Sequence, residues 1–203
     1  MQSVIEDAML DIDKNTDNWF NKVKNLLTRY GFYYVWCNES RINENHFIVI
    51  FKQRLIDEYL QQWQGSVNDN GVLTLYKVLK TSFEFESYLD NIVSRNLRIA
   101  ITKLRICSHS LRIHTGRYDR LERNVRLCQV CNTNEIEDEF HFMFNCTPYD
   151  QLRQTYIKRY YRIRPSMFKL VQLLKTHTKS EVFMLSKYIS EAFKVRSTIL
   201  INL

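Results

Sequence analysis

The sequence predicts a mainly α-helical fold with a small metal-binding subdomain set between helices, and three observations carry that prediction. Glycine and proline number only 4 and 2 in 203 residues, too few for the positive-φ turns and breaks of a many-stranded sandwich. Apolar residues recur every three or four positions through most of the chain, the period of a helix face. Three of the 5 cysteines and one of the 5 histidines crowd into CQVCNTNEIEDEFHFMFNC, residues 128–146. With 45% apolar residues the chain can bury a core without covalent staples, so disorder is not expected.

The elements follow in order. In NTDNWFNKVKNLLTRYG, Trp19, Val23, Leu26, Leu27 and Tyr30 share one helical face, with Thr16 or Asp17 as N-cap and Gly31 as the stop. FYYVWCNES reads as a short strand or an extended link. Phe47, Ile48, Phe51, Leu55, Tyr59 and Trp63 describe a second long helix, starting after Asn43 or Asn45 and ending at Gly65. SVNDNG, 66–71, is the strongest loop signal and allows a modest domain boundary. The stretch 72–92 is ambiguous, with its part after Ser82 helical. Next, a helix turns Leu97, Ala100, Ile101 and Leu104 inward, holds Cys107 near that face, and leaves Arg98, Lys103 and Arg105 outside. Thr147 as N-cap and Pro148 at the first helical position open another helix. Segments 165–176 and 180–203 complete a set of about six to eight helices. The chain then divides into an N-terminal helical region (1–94), a basic helix and loop (95–126), a knuckle-like subdomain (127–147) and a C-terminal helical region (148–203).

Cys128 and Cys131 are two residues apart, a spacing that lets one tight turn aim both thiolates at one ion. His141 follows nine residues on and Cys146 four beyond it, completing Cys-x2-Cys-x9-His-x4-Cys. Such two-plus-two spacings give a single tetrahedral structural zinc site, whose closed shell leaves no position for water or substrate. The same residues would also serve as ordinary buried cysteines around a core histidine, but two convergent pairs weigh against that. Phe140 and Phe144, four apart, form a helical pair that can pack the subdomain onto the body. Glu135, Glu137, Asp138 and Glu139 read as a solvated turn and first helical turn, where acids complement the helix dipole. Cys107 with His109 lacks an orienting acid or oxyanion hole, so no catalytic residue is assigned.

The net charge of +7 is concentrated. Residues 95–126 hold nine Lys/Arg against two Asp/Glu, and eight of the nine are arginine, whose planar fork binds phosphate bidentately. Arg98, Lys103, Arg105, His109, Arg112, Arg117, Arg120 and Arg123 are the candidate phosphate contacts here, with Gly116 giving a tight turn whose amides can approach a phosphate. A second cluster, Arg153, Lys158, Arg159, Arg162 and Arg164, is interleaved with Tyr149, Tyr156, Tyr160 and Tyr161, cations beside stacking surfaces, and Arg153, Arg159 and Arg162 are its candidate contacts. The implied partner is RNA or single-stranded DNA. Acidic residues interrupt the first fifteen residues and no apolar run approaches the ~18 needed to span a bilayer, so no leader and no membrane are expected. An odd cysteine count argues against a disulfide framework and for an intracellular protein, nuclear or cytoplasmic.

FKQRLIDEYLQQW, LRICSHSLRIHTGRYDR, the Cys/Cys/His/Cys segment and RPSMFKLVQLL together resemble the C-terminal region of reverse-transcriptase-like proteins of non-LTR (LINE-type) retrotransposons, over about Trp19 to Ile199. The resemblance implies that Cys128, Cys131, His141 and Cys146 are zinc-knuckle-like ligands downstream of the polymerase thumb. It also implies that the segment around Ser108, His109, Gly116 and Arg117 is the approach to the knuckle, in a region that helps hold template RNA or target DNA. The family's Tyr/Phe-x-Asp-Asp motif and endonuclease signature are missing from this sequence, so a non-catalytic nucleic-acid-binding module is expected. The alternative is a helical protein–protein scaffold with a structural zinc site.

Overall fold

The computed structural model describes residues 18–37 and 43–202, in two compact units, Met1–Ser66 and Val67–Leu203. The first unit holds α1 (Trp19–Arg29), α2 (Tyr33–Cys37) and most of α3 (Glu44–Asp69). Asn18 caps α1 by accepting from the Asn21 amide at 2.8 Å; the expected caps Thr16 and Asp17 lie outside the described residues. Gly31, at φ +81°, ends the helix as expected, because only glycine enters this region without a Cβ penalty. The chain then restarts a helix instead of the expected strand or extended link. The Val35 amide donates to the Phe32 carbonyl at 2.9 Å, so local turn formation overrides the β-preference of the aromatic run.

The packing of this unit is aromatic. Phe32, nearly fully buried, meets Phe47 and Phe51 at ring separations of 5.6 and 5.4 Å, while Trp19 and Leu26, expected inward, are exposed. Asn43 caps α3 by accepting from the His46 amide at 3.1 Å. The helix passes through Gly65, where glycine costs only about 1 kcal/mol, and runs on to Asp69. It stops at Asn70, whose side chain accepts from the Val72 amide at 2.8 Å in a turn.

The second unit contains α4 (Thr74–Leu79), α5 (Tyr88–Asn91), α6 (Arg95–Arg105), α7 (Arg112–Thr115), α8 (Asp150–Tyr156), α9 (Arg159–Arg162), α10 (Met167–Leu174) and α11 (Lys179–Ile201). The fold is mainly α, as predicted. Among the described residues the only β-pairing is one antiparallel bridge, Leu127 with Ile136. Within 72–92 the expected helix after Ser82 is confined to Tyr88–Asn91, and a longer one, Thr74–Leu79, precedes Ser82. The following segment is irregular because Glu86 is drawn to two cations, Lys80 at 3.2 Å and Arg105 at 2.7 Å. Thr147 opens a 3-10 turn (Thr147–Tyr149) rather than capping α8, with Pro148 in that first turn.

Helix α11 is the spine of this unit. Val182, Leu185, Tyr188, Ile189 and Ala192 repeat at helical spacing and are buried, packing against α6, whose Ile101 and Leu104 are buried in the same core. The next position of the stripe is Arg196, also buried, which grips Glu137 with two hydrogen bonds of 2.7 and 2.8 Å. Glu137 also accepts from the Arg112 amide at 2.7 Å. A charge this deeply buried is tolerated only because its partner is bidentate and its remaining lone pairs are filled. Replacing Arg196 alone by Met is therefore expected to cost about 3–5 kcal/mol in urea unfolding, by stranding the Glu137 carboxylate. The double replacement Arg196→Met with Glu137→Gln is expected to recover most of that loss; equal loss in both variants would mean that packing, not charge pairing, holds the arm to the helix.

Candidate functional site

The segment 126–146 is built as a short hairpin followed by one wide helical turn. The Glu137 amide donates to the Arg126 carbonyl at 3.0 Å and the Cys128 amide to the Glu135 carbonyl at 2.9 Å, closing a loop that carries Cys128 and Cys131. Asn134 turns the loop back at φ +55°; asparagine tolerates that region better than most residues. The amides of Val130 and Cys131 point at the Cys128 sulfur, which gives the loop the shape of a knuckle around one thiolate.

His141 and Cys146 come from a π-helical turn, His141–Asn145, not from an ordinary α-helix. An α-helix would rotate residues five apart to different sides. Here the Cys146 amide bonds the His141 carbonyl at 2.9 Å, the i to i+5 bond of a π-turn, which widens the turn and brings both side chains to one side. Asp138 accepts from the His141 amide at 2.9 Å and holds the start of the turn. Phe142 and Met143 are fully buried, and Tyr188 of α11 donates to the Phe142 carbonyl at 2.8 Å. Phe140 and Phe144 meet edge to face at 5.5 Å, the pair anticipated from their spacing.

These two pieces bring Cys128, Cys131, His141 and Cys146 together: their ligand atoms all lie within 4.8 Å of one another, and all four residues are buried. Metal–sulfur bonds of about 2.3 Å at tetrahedral angles separate two sulfurs by about 3.8 Å. The Cys128 and Cys146 sulfurs are 3.8 Å apart, and the Cys131 sulfur is 3.3 Å from His141 Nε2. The donor set thus fits one tetrahedral metal ion. The hydrogen bond from Cys146 pulls the Cys128 thiol down to about 3 against its burial, while the same shared proton pushes Cys146 up. Burial opposes charge on His141, but hydrogen bonds to Cys128 and Glu135 outweigh it and push the imidazole up to about 9. A divalent cation among these donors would displace their protons, so uptake releases them.

Glu135 is the functional residue that sequence reasoning missed. Its carboxylate accepts from His141 Nδ1 at 2.7 Å and from the Asn145 side chain at 3.1 Å, which directs Nε2 toward the sulfurs, the usual carboxylate–histidine–metal arrangement. The acidic run is not the solvated turn expected. Glu137 binds Arg196, Glu139 accepts from His109 Nε2 at 3.0 Å, and Asp138 caps the π-turn. The available signal was the two-residue spacing of Glu135, Glu137 and Glu139, which suits an extended arm rather than a helix.

The basic block is less exposed than its composition suggests. Arg105, His109 and Arg153, expected to face a polyanion, are buried. Arg105 bonds Glu86 and the Leu174 carbonyl and lies over Tyr88 at 4.8 Å; Arg153 bonds Asp150 and the Cys146 carbonyl; His109 is held by Glu139. Each is corrected to a structural role, since buried charge survives only with such partners. Arg98, Arg112, Arg117 and Arg162 are half-buried and turned to the Leu89 carbonyl, Asp119, the Gly71 carbonyl and the Ile157 carbonyl. Lys103, Arg120 and Arg159 are exposed without a partner among the described residues, and Arg123 makes one loose ion pair with Asp138 at 3.6 Å. The turn at Gly116 does not offer its amides to a phosphate: the Gly116 and Arg117 amides bond the Arg112 and His114 carbonyls. A Cβ at 116 would lie 2.8 Å from both the Arg112 carbonyl oxygen and Arg126 Cγ, so any larger residue would press on the α7 backbone as well as on the Arg126 side chain.

Comparison of the chain with protein-family models, curated proteins and solved structures gives no match. Among the described residues no helix is long and apolar enough to cross a membrane.

Removing the metal ion with a chelator is expected to lower the thermal midpoint, and Cys146→Ser to give the same lowered midpoint with chelator having no further effect. Glu135→Ala, which leaves all four ligands in place, is expected to weaken ion affinity about 10–100-fold in competition with a chromophoric chelator. Unchanged affinity in that variant would remove Glu135 from the site.

Proposed function

We propose that this chain is a non-catalytic nucleic-acid-binding module for RNA or single-stranded DNA, braced by one structural zinc ion. Zinc is the reading favoured by three sulfurs and one imidazole at tetrahedral spacing, a soft donor set with every position filled by protein. With the shell closed, the ion holds Cys128 and Cys131 against His141 and Cys146 and performs no chemistry of its own. The kinship this reading carries is with the C-terminal region of non-LTR retrotransposon reverse transcriptases, and it rests on the sequence motifs alone.

The observation that carries the nucleic-acid reading is the set of cations in 95–126 that the fold leaves unneutralised. Among the described residues, Arg95, Lys103 and Arg120 are exposed and unpaired, Arg123 is nearly so, and Tyr118 stands 76% exposed in the same block. Cations beside an exposed ring match the chemistry of a single strand, whose phosphates and base faces are both accessible. A second reading, a protein-interaction scaffold, is favoured by a different observation. Arg105, Arg112, Arg153 and Arg196 are paired with carboxylates, and Val93, Phe85 and Phe168 are exposed.

Binding of single-stranded oligonucleotides across a salt titration separates the two. Arg120→Gln with Arg123→Gln is expected to weaken binding and to reduce the slope of log affinity against log salt by about one for each phosphate no longer neutralised, with zinc content unchanged. Affinity indifferent to both salt and these substitutions would sink the nucleic-acid reading and leave the scaffold.

A further inference from the structure

Beside the exposed cations lies a cleft of about 540 Å³ whose walls come from α6, the 108–118 segment and α11. That size is within the ordinary range for small-molecule sites. Lys103, Ser108, His109, His114, Tyr118 and Phe193 are among its lining residues, and among the described residues no acidic side chain lines it. Phe193 is fixed from behind by stacking on Phe142 at 4.6 Å. Tyr118 and His114 meet edge to face at 5.3 Å, and the tyrosine hydroxyl lies 3.2 Å from His114 Nε2.

His109 is the residue that points to a ligand. It is 7% exposed, and its Nε2–H is committed to the Glu139 carboxylate, itself buried. That bond fixes the tautomer and leaves Nδ1 as a bare acceptor. Among the described residues Nδ1 of His109 has no hydrogen-bond partner, and neither does the buried Nδ1 of His114 on the same wall. Buried polar atoms are nearly always satisfied, so two orphaned imidazole nitrogens on one cleft call for a polar ligand; the His109 acceptor calls for an N–H group, while His114 Nδ1 donates or accepts according to how Nε2 shares a proton with the Tyr118 hydroxyl. The aromatic walls call for a flat ring, and the unopposed Lys103 ammonium calls for an anion.

We propose that this cleft binds a nucleotide, an aromatic base carrying a phosphate, with the base between Tyr118 and Phe193, its N–H edge toward His109 and the phosphate at Lys103. The assignment deepens the nucleic-acid reading and rests on it for the larger molecule. The nucleotide can be free or part of a strand, and the cleft's chemistry is the same for both.

Calorimetric titration of the full chain with adenosine 5′-monophosphate, adenosine, inorganic phosphate and an octanucleotide tests it. The monophosphate is expected to bind more tightly than either adenosine or inorganic phosphate. Tyr118→Ala is expected to lower that affinity about fivefold or more, and Lys103→Ala to weaken the monophosphate but not adenosine. Both side chains are exposed, so folding is preserved, and circular dichroism verifies it. Competition by the octanucleotide assigns the cleft to a strand; tight monophosphate binding without competition keeps the cleft but overturns the strand reading. Monophosphate binding no tighter than inorganic phosphate, or unchanged by both substitutions, overturns the cleft, and salt-sensitive octanucleotide binding would then survive on its own.

Discussion

The structure of the larger unit depends on one buried ion pair. Glu137 and Arg196 lie in the core, far from the water that would otherwise solvate them, and such a pair costs desolvation that only close geometry offsets. What the pair secures is registration. It ties the hairpin arm to α11, and through the Arg112 amide it ties α7 to both. An apolar pair of similar volume would fill the space but would let the arm slide along the helix. The neighbouring glutamates repeat the device: Glu135 turns to the ligand histidine and Glu139 to His109. Three acids two residues apart thus orient the metal centre, the helical spine and the cleft.

The metal centre inherits its precision from this frame. Its hairpin half is pinned by backbone pairing beside Leu127 and Ile136, and its π-turn half by Tyr188 on α11 and by Arg153 on the Cys146 carbonyl. Neither half alone offers more than two ligands, so an ion bound there would join pieces that the apolar core has already brought near. This is why the site is closed and buried rather than open at a surface. The arginines expected to meet phosphate were partly consumed in the same construction, because an arginine reaches several carbonyls at once. Arg105 fastens Glu86 and the end of α10, and Arg153 the Cys146 carbonyl, as Arg126 fastens the Leu121 and Ile113 carbonyls.

Much of this was legible in the sequence. Periodicity located α1, α3, α6 and α11, and ligand spacing picked out the four residues whose donor atoms converge on one point able to hold a metal, since both signals are set by local geometry. Charge counting overstated the exposed cations for a physical reason: composition reports how many cations exist, not how many the fold neutralises. Arg105 and Arg120 are identical in composition, yet one lies under Glu86 and the other stands in solvent. The stretch directly after Ser82 is irregular instead of helical, and Glu86 in it is fixed by Arg105, nineteen residues away, an interaction no window of sequence contains. The role of Glu135 was hidden by assigning its segment to a helix.

The wide turn between His141 and Cys146 carries an evolutionary corollary. Four intervening residues bring imidazole and thiolate to one side only because the turn is π-helical; losing one would return the turn to an α-helix, whose i and i+4 positions still share a face, whereas a gain would carry the thiolate away from the imidazole. The exposed tip at Asn132–Asn134 is under no such restriction. Length variation among any kin of this protein should therefore collect in the first ligand loop, with the second spacing confined to three or four residues.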